Sequence, residues 1–182
     1  INDLSFITSF PMSKMRLLIA FGGKMGSGKD TAVSYMISKY GGVRHSFAKP
    51  LYAIQEYAQR RCDFTLEKDR QFLQYIGTEW ARKKDPDVWV KIALREVPKT
   101  GNVFLSDLRF PNEFRALKNV SWICVKINRA HLIGREGSGD PGHTSEMMLD
   151  EIPDKDWDLI VDNDEDLTSF YAKKEIITTK IK

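Results

Sequence analysis

Short apolar runs alternate along this chain with longer amphipathic segments, and the alternation predicts its secondary structure. Five runs are compatible with β-strands, at 15–21, 43–47, 103–105, 121–127 and 159–161. Helical spacing and capping residues predict helices at 30–40, 50–61 and 111–118, and from about 166 onward. The stretch 66–97 is helical in pattern, with breaks expected near Gly77 and at Pro86. Strands alternating with helices predict an α/β fold whose mostly parallel sheet is covered on both faces.

The segment 23–31 carries the most specific chemical signal. Its sequence, GKMGSGKDT, fits the pattern G-x-x-x-x-G-K between a predicted strand and a predicted helix. Glycines let backbone N–H groups surround phosphate oxygens, and the positive end of the following helix faces the same anion. Lys29 would add a charge beside the β- and γ-phosphates. The predicted phosphate-binding residues are Gly23, Lys24, Gly26, Ser27, Gly28, Lys29, Asp30 and Thr31.

The loop departs from the common pattern directly after its lysine. A Ser or Thr hydroxyl that contacts Mg²⁺ usually stands there, whereas this chain has Asp30 followed by Thr31. Asp30 can bind the cation directly or through water, because Mg²⁺ favours carboxylate oxygen, and Thr31 can supply the hydroxyl instead. Asp30 can equally be a carboxylate stabilised by the helix dipole. The sequence leaves these alternatives open.

Composition narrows the class of protein without naming a partner. The 182 residues, 42% hydrophobic and 29% charged, suit one globular domain and not a disordered tail. A net charge of +3 argues against polymeric nucleic acid as the main partner. No apolar run approaches the ~20 residues of a membrane span, and the two cysteines are too few for a disulfide scaffold. We expect a cytoplasmic protein with residues 1–11 as a leader, added artificially or partly ordered, and 12–182 as the domain.

Further segments stand in the order found in one kinase family. They are SFAKPL at 46–51, LQYIGTE at 73–79, DPDVW at 85–89, SDLRFPNE at 106–113 and HTSE at 143–146. With the GSGKDT loop, they make the chain resemble the bacteriophage-type deoxynucleoside monophosphate kinases from residue 15 to about 163. The resemblance implies a three-layer P-loop kinase fold, with a helical acceptor-nucleotide region at about 48–97 and a glycine-rich lid at about 129–144. It also implies ATP as donor, a deoxynucleoside monophosphate as acceptor, Mg²⁺ as cofactor and, for a viral protein, the host cytoplasm.

Two residues at the end of the third predicted strand are candidates for the active site. A second carboxylate near Mg²⁺ belongs there in this architecture, which is the position of Asp107, and Arg109 could reach phosphate. The resemblance implies that both are active-site residues, and it adds Asp107 to Asp30 and Thr31 as metal candidates. A capping Asp and a surface Arg are the alternatives from spacing alone. Asn112 and Glu113 are candidates for acceptor binding, although Pro-Asn-Glu is also an ordinary helix start.

The segment 70–89 is predicted to hold the acceptor nucleotide. A base needs a flat partner, and aromatic stacking contributes ~1–3 kcal/mol per base. The candidate rings and polar groups are Arg70, Tyr75, Glu79, Trp80, Arg82 and Trp89. Each ring could instead belong to the core. Lys49 is expected either to hold the acceptor phosphate or to stand in solvent.

Four glycines make the segment 129–144 the predicted lid. After closure, Arg129 and Arg135 could reach the transferring phosphoryl group. His143 is assigned to the acceptor phosphate or to capping a helix at 145–149, and a surface loop without catalytic role is the alternative. Asn163 follows the last predicted strand. By analogy with ATP-binding kinases of this class, it is expected to contact the adenine.

Two other classes of function remain open. One is a different small-molecule P-loop kinase, resembling dephospho-coenzyme A kinase or the animal-type phosphomevalonate kinase. The other is a nucleotide-dependent switch or nucleic-acid ATPase, against which the lack of a long basic stripe argues. The aromatic residues of the middle segment favour a base-bearing acceptor. The expected partners are therefore ATP and a deoxynucleoside monophosphate, without polymeric nucleic acid or membrane, and homodimerisation is left open.

Overall fold

The computed structural model describes residues 16–129 and 148–163. Their five strands are β1 (Leu18–Gly22), β2 (Val43–His45), β3 (Val103–Leu108), β4 (Ile123–Asn128) and β5 (Leu159–Asp162). They form one sheet in the order β2-β3-β1-β4-β5, and every neighbouring pair is parallel. The first strand in the sequence is therefore the central strand of the sheet.

Helical segments connect these strands. They are α1 (Lys29–Tyr40), α2 (Lys49–Arg61), α3 (Arg70–Gln74), a π-helical segment (Tyr75–Arg82), α4 (Val88–Glu96) and α5 (Pro111–Asn119). Two short 3₁₀ turns, Met148–Glu151 and Asp154–Asp156, precede β5. Within the described ranges, no helix is both long and apolar enough to cross a membrane.

Both faces of the sheet are covered, because successive strand residues point to opposite sides. Ile19 and Phe21 of β1 belong to a core shared with Val33 and Met36 of α1. Between them in sequence, Ala20 belongs to a second core, which includes residues of α4 and α5. The predicted three-layer α/β class with a parallel sheet is thus confirmed.

The helices α1 and α5 leave the sheet toward opposite faces, and this creates a crevice. The strands that precede them, β1 and β3, are neighbours in the sheet. Their following loops therefore diverge at the carboxyl edge, which is where open α/β sheets bind ligands.

Two details of the predicted elements are wrong. The helical run does not break at Gly77, because this glycine lies inside the π-helical segment. A Cβ there would lie 3.2 Å from Leu51 Cδ1, and its carbonyl accepts the indole N–H of Trp89 (2.9 Å), so close packing explains the glycine. In addition, β3 extends to Leu108 instead of ending at 105.

Several predicted elements lie outside the described residues. They are the leader at 1–11, the C-terminal helix from about 166, and the lid except for Arg129. Arg135 and His143 fall in the same category. Those assignments stay predictions.

Candidate active site

Three glycines give the loop between β1 and α1 its path. Gly23, Gly26 and Gly28 have φ angles of 143°, 75° and 105°, a region that side chains strongly disfavour. A Cβ on Gly23 would also lie 2.3 Å from the backbone oxygen of Ile127 in β4. The conformation of the loop therefore requires glycine at these positions.

Lys29, the first residue of α1, turns its side chain back into the loop. Its Nζ donates hydrogen bonds to the backbone oxygens of Gly23 and Lys24, each at 2.7 Å. Only 8% of the residue is exposed. The positive charge is thus held beside the N-terminus of α1, and the two together favour an anion at this end of the helix.

The far end of the sheet supports the same loop. Asn163, directly after β5, donates a hydrogen bond from Nδ2 to the backbone oxygen of Ser27 (2.8 Å). Both residues are buried, and Ser27 Oγ has no hydrogen-bond partner among the described residues. Asn163 therefore contacts the loop itself, and its predicted adenine contact is untested.

Asp30 is held by two side chains that sequence reasoning did not assign to the site. Arg44 of β2 forms an ion pair with Asp30 Oδ1, and Ser106 of β3 donates a hydrogen bond to the same oxygen (2.8 Å). Burial by itself would raise the pKa of Asp30, but these hydrogen bonds and the charges of Arg44 and Lys29 outweigh it and lower the pKa. The carboxylate is therefore ionised and oriented. The sequence signal that could have indicated this contact was an arginine in the next predicted strand along the chain.

Asp107 lies at an irregularity of β3. Ala20 of β1 pairs with Leu105, but Gly22 pairs with Leu108, so β3 contains one extra residue at this point. Such bulges re-aim side chains and are frequent beside active sites. The bulge places Asp107 at the turn that precedes α2.

The carboxylate of Asp107 accepts three hydrogen bonds from that turn. They come from the hydroxyl of Ser46 (2.6 Å) and from the backbone N–H groups of Phe47 (3.2 Å) and Ala48 (2.9 Å). Asp107 thus fixes the start of α2, where the exposed Lys49 is the first residue. The described contacts are those of a capping carboxylate, and its metal role is untested.

The side-chain oxygens near the loop could supply only some of the ligands that a Mg²⁺ ion needs. The side chain of Asp30 is 80% exposed, and both groups that contact its carboxylate use Oδ1. Thr31 is half-buried in the first turn of α1. In the described part of the chain, no three His, Cys, Asp or Glu side chains converge. A Mg²⁺ ion here would therefore take most of its ligands from phosphate oxygens and water, as this ion usually does.

The predicted acceptor residues divide into exposed and buried groups. Tyr75 is 58% exposed and Trp80 45% exposed. Trp89 is 3% exposed, and its indole N–H donates a hydrogen bond to the backbone oxygen of Gly77. Arg70 is exposed at the start of α3. Glu79 pairs with Lys83 one turn away (2.8 Å). Tyr75 and Trp80 therefore have rings exposed to solvent, with Lys84 Nζ 4.7 Å from the centroid of the Trp80 ring, and Trp89 belongs to the core.

Glu113 and Asn112, at the start of α5, contact other parts of the protein. Glu113 is 1% exposed and pairs with Arg82 (2.7 Å). Burial raises the pKa of Glu113 to about 7, against the charge of Arg82 and the hydrogen bonds that it accepts. Asn112 donates to the backbone oxygen of Pro86 (3.0 Å) and to Asp87 Oδ1 (2.8 Å). Both residues join α5 to the acceptor region.

Two of the arginines predicted for the site fall within the described residues. Arg129 lies near the glycine loop, and Arg109 lies near Glu113. Arg129 donates a hydrogen bond from Nη1 to the backbone oxygen of Gly26 (3.3 Å). The backbone N–H of Arg109 is bound by Glu113 Oε2 (2.9 Å). Lys24, also in the loop, pairs with Asp150 at 3.4 Å. The structure thus places Arg129 at the loop and ties the turn carrying Arg109 to α5.

The fold and this site define an α/β protein with a glycine loop at the carboxyl edge of a parallel sheet. No family model matches the chain. It is 28% identical over 188 aligned positions to the "Putative deoxynucleotide monophosphate kinase" of Acanthamoeba polyphaga mimivirus, covering 86% of this chain and 93% of that protein.

Two proteins of Ictalurid herpesvirus 1 (strain Auburn) are also similar to the chain. "Uncharacterized protein ORF77" is 36% identical over 148 residues, and "Uncharacterized protein ORF76" is 30% identical over 156 residues. The matches cover 78% and 82% of this chain, respectively. The chain spans 63% of the length of each of these two relatives.

Proposed function

We propose that this protein is a kinase that transfers the γ-phosphoryl group of ATP to a deoxynucleoside monophosphate, giving ADP and a deoxynucleoside diphosphate. The observation that carries the proposal is the position of Lys29, whose ammonium group is enclosed by a loop of left-handed glycines at the start of α1. A cation and a helix N-terminus together suit phosphate oxygens. The name of the mimivirus relative supports a deoxynucleotide acceptor.

The chain's own groups would act by neutralising charge and by holding the reactants. Lys29 and the N-terminus of α1 bind the donor phosphates, and Arg109, Arg129 and Arg135 balance the charge of the moving phosphoryl group. Asp30 or Thr31, together with Asp107, would hold a Mg²⁺ ion, which would supply charge neutralisation to the donor phosphates. The acceptor oxygen is already anionic, so the step needs no general base. Catalysis then depends on positioning and electrostatics.

Two exposed rings in the predicted acceptor region support a base-bearing substrate. Tyr75 and Trp80 expose large fractions of their rings, and both belong to the π-helical segment. Residues with π-helical geometry occur often at functional sites. The acceptor phosphate would be bound by Lys49 and Arg109, with the base stacked on one of these rings.

A substitution in the loop tests the proposed donor site. Lys29→Met is expected to lower ATP-dependent turnover at least about 100-fold, the usual loss when one charge-stabilising group is removed. Lys39→Met is the matched control, since this lysine lies in the last turn of the same helix. Circular dichroism would show that both variants keep their helices. Undiminished turnover in Lys29→Met would contradict the proposal.

The acceptor is tested by a coupled ADP-release assay over ribo- and deoxyribonucleoside monophosphates. We expect turnover with at least one deoxyribonucleotide and slower turnover with the matching ribonucleotide. Equal rates for the two sugars would reject the deoxy part of the proposal. ATP hydrolysis that depends on added nucleic acid, and not on a monophosphate, would replace the kinase with a nucleic-acid ATPase.

A further inference from the structure

Glu113 is the most deeply buried carboxylate of the described chain, and both of its oxygens have partners. Oε1 accepts a hydrogen bond from Arg82 Nη2 (2.7 Å). Oε2 accepts the backbone N–H groups of Arg109 (2.9 Å) and Phe110 (3.1 Å). Burial of a carboxylate destabilises the folded state unless such partners compensate the lost hydration. The fold can therefore hold Glu113 in this place only with these partners. One oxygen holds the turn after β3, and the other holds the acceptor region.

Arg82 completes the connection from the other side. It is the last residue of the π-helical segment, and its side chain is 15% exposed. The guanidinium lies 3.9 Å from the centroid of the Phe110 ring, and Nη1 donates to the backbone oxygen of Pro86 (3.4 Å). Arg82 therefore contacts α5 through an ion pair with Glu113 and the turn before α5 through a cation–π interaction with Phe110.

Asn112 adds a second link between the same two regions. Its side-chain amide bonds the backbone oxygen of Pro86 and the carboxylate of Asp87, just before α4. The end of the π-helical segment and the start of α4 are thus both fixed to the turn that carries Arg109. These bonds therefore attach the segment that carries Tyr75 and Trp80 to that turn at its Arg82 end.

We propose that Glu113, through Arg82, is a positioning residue that sets the placement of the acceptor-binding rings relative to Arg109. The inference rests on the proposed function, since it gives the acceptor and Arg109 their roles. With 1% of its surface exposed, Glu113 fits a positioning role better than the direct acceptor contact expected from the sequence. Its effect reaches the substrate through the backbone of residues 109–110 and through Arg82.

The test measures acceptor and donor kinetics separately in Glu113→Gln and Arg82→Met. Each variant is expected to lose about 10- to 100-fold in kcat/KM for the deoxynucleoside monophosphate, because a small misplacement of reacting groups is costly. The dissociation constant of ATP, measured by equilibrium dialysis, should change less than about twofold. Among the described contacts, none joins the glycine loop to Glu113 or Arg82. The double variant should be no worse than the poorer single variant, as expected for residues acting as a unit.

Glu56→Gln and Arg60→Met are the matched controls, because Glu56 and Arg60 form an exposed pair on α2 (2.8 Å). Both should keep wild-type kinetics. Equal losses in ATP binding and in acceptor kinetics would overturn the proposal by showing a general structural effect. Wild-type acceptor kinetics in Arg82→Met would also overturn the proposal. If Glu113→Gln does not fold, Arg82→Met alone tests the positioning role. A wild-type protein without kinase activity would instead refute the proposed function.

Discussion

The side chain of Asn163 is hydrogen-bonded to the backbone of Ser27, which precedes it by 136 positions. The bond joins the end of an edge strand of the described sheet to the glycine loop after the central strand. Ser27 is 1% exposed and Asn163 8% exposed, so water does not replace the bond easily. The shape of the loop therefore depends on a residue far outside its motif.

Removal of this amide should destabilise the protein. In Asn163→Leu the backbone oxygen of Ser27 loses its partner while buried, which costs about 1–3 kcal/mol of unfolding free energy. Urea denaturation would measure the loss. Asn119→Leu, at the exposed end of α5, should change the unfolding free energy by less than about 0.5 kcal/mol. Equal effects of the two substitutions would show that the bond contributes nothing specific.

A neutral amide at position 107 should loosen the start of α2. Asp107→Asn keeps the size of the side chain but turns one acceptor into a donor, which faces either the N–H of Phe47 or the donors of Ser46 and Ala48. We expect a loss of about 1–2 kcal/mol in unfolding free energy, the usual cost of removing a helix cap. Asp63→Asn is the control, because this exposed residue has a φ of 55° that asparagine also adopts. An unchanged denaturation midpoint in Asp107→Asn would contradict the capping role.

The two cysteines should differ strongly in reactivity. Cys62 is exposed, whereas Cys124 is buried in β4. Burial, with a smaller effect from the charge of Asp158, raises the pKa of Cys124 to about 12. At pH 8 a thiol reagent should therefore modify one cysteine in the native protein and both after denaturation. Cys62→Ser should abolish the native reaction, and rapid labelling of Cys124 in that variant would contradict the burial of β4.

Glu113 should give the stability of the protein a particular dependence on pH. Burial holds its folded-state pKa at about 7, above the ordinary value of 4.5. Between these values the folded state binds more protons than the unfolded state, so the unfolding free energy falls as pH rises. The slope from this one group is at most about 1.4 kcal/mol per pH unit.

Glu113→Gln isolates that dependence, because the variant keeps the other titrating groups. The unfolding free energy of the wild type minus that of the variant should decrease between pH 5 and pH 7 and level off above this range. Denaturant titrations at several pH values would measure it. Parallel curves for the two proteins would mean that burial does not raise the pKa of this carboxyl.

The parallel sheet could be predicted because strand and helix patterns are local properties of the sequence. The glycine loop was also readable, since its three left-handed residues are glycines at fixed spacing. The partners of charged residues such as Asp30 and Glu113 could not be predicted from the sequence. Arg44 meets Asp30 from 14 positions away, and Arg82 meets Glu113 from 31 positions away. Periodicity contains no information about such contacts, which follow from the way the strands and helices pack together in the fold.

The aromatic residues show a second reason for incomplete prediction. Trp80 and Trp89 are equivalent by type, yet one is 45% exposed and the other 3% exposed. Trp80 belongs to the π-helical segment, where i→i+5 hydrogen bonds replace the i→i+4 pattern. Side chains there no longer follow a spacing of 3.6 residues, so the face on which each ring lies could not be read from an α-helical pattern.

The central place of β1 has a consequence for biosynthesis. A ribosome releases residues 18–22 before the neighbours of β1 in the sheet, which begin only at Val103 and Ile123. Gly23 packs against the backbone of Ile127, and Asn163 emerges later still. The loop therefore leaves the ribosome well before the segments that give it its final shape. A nascent chain halted before β4 would contain every residue of the loop and lack the surface that shapes it.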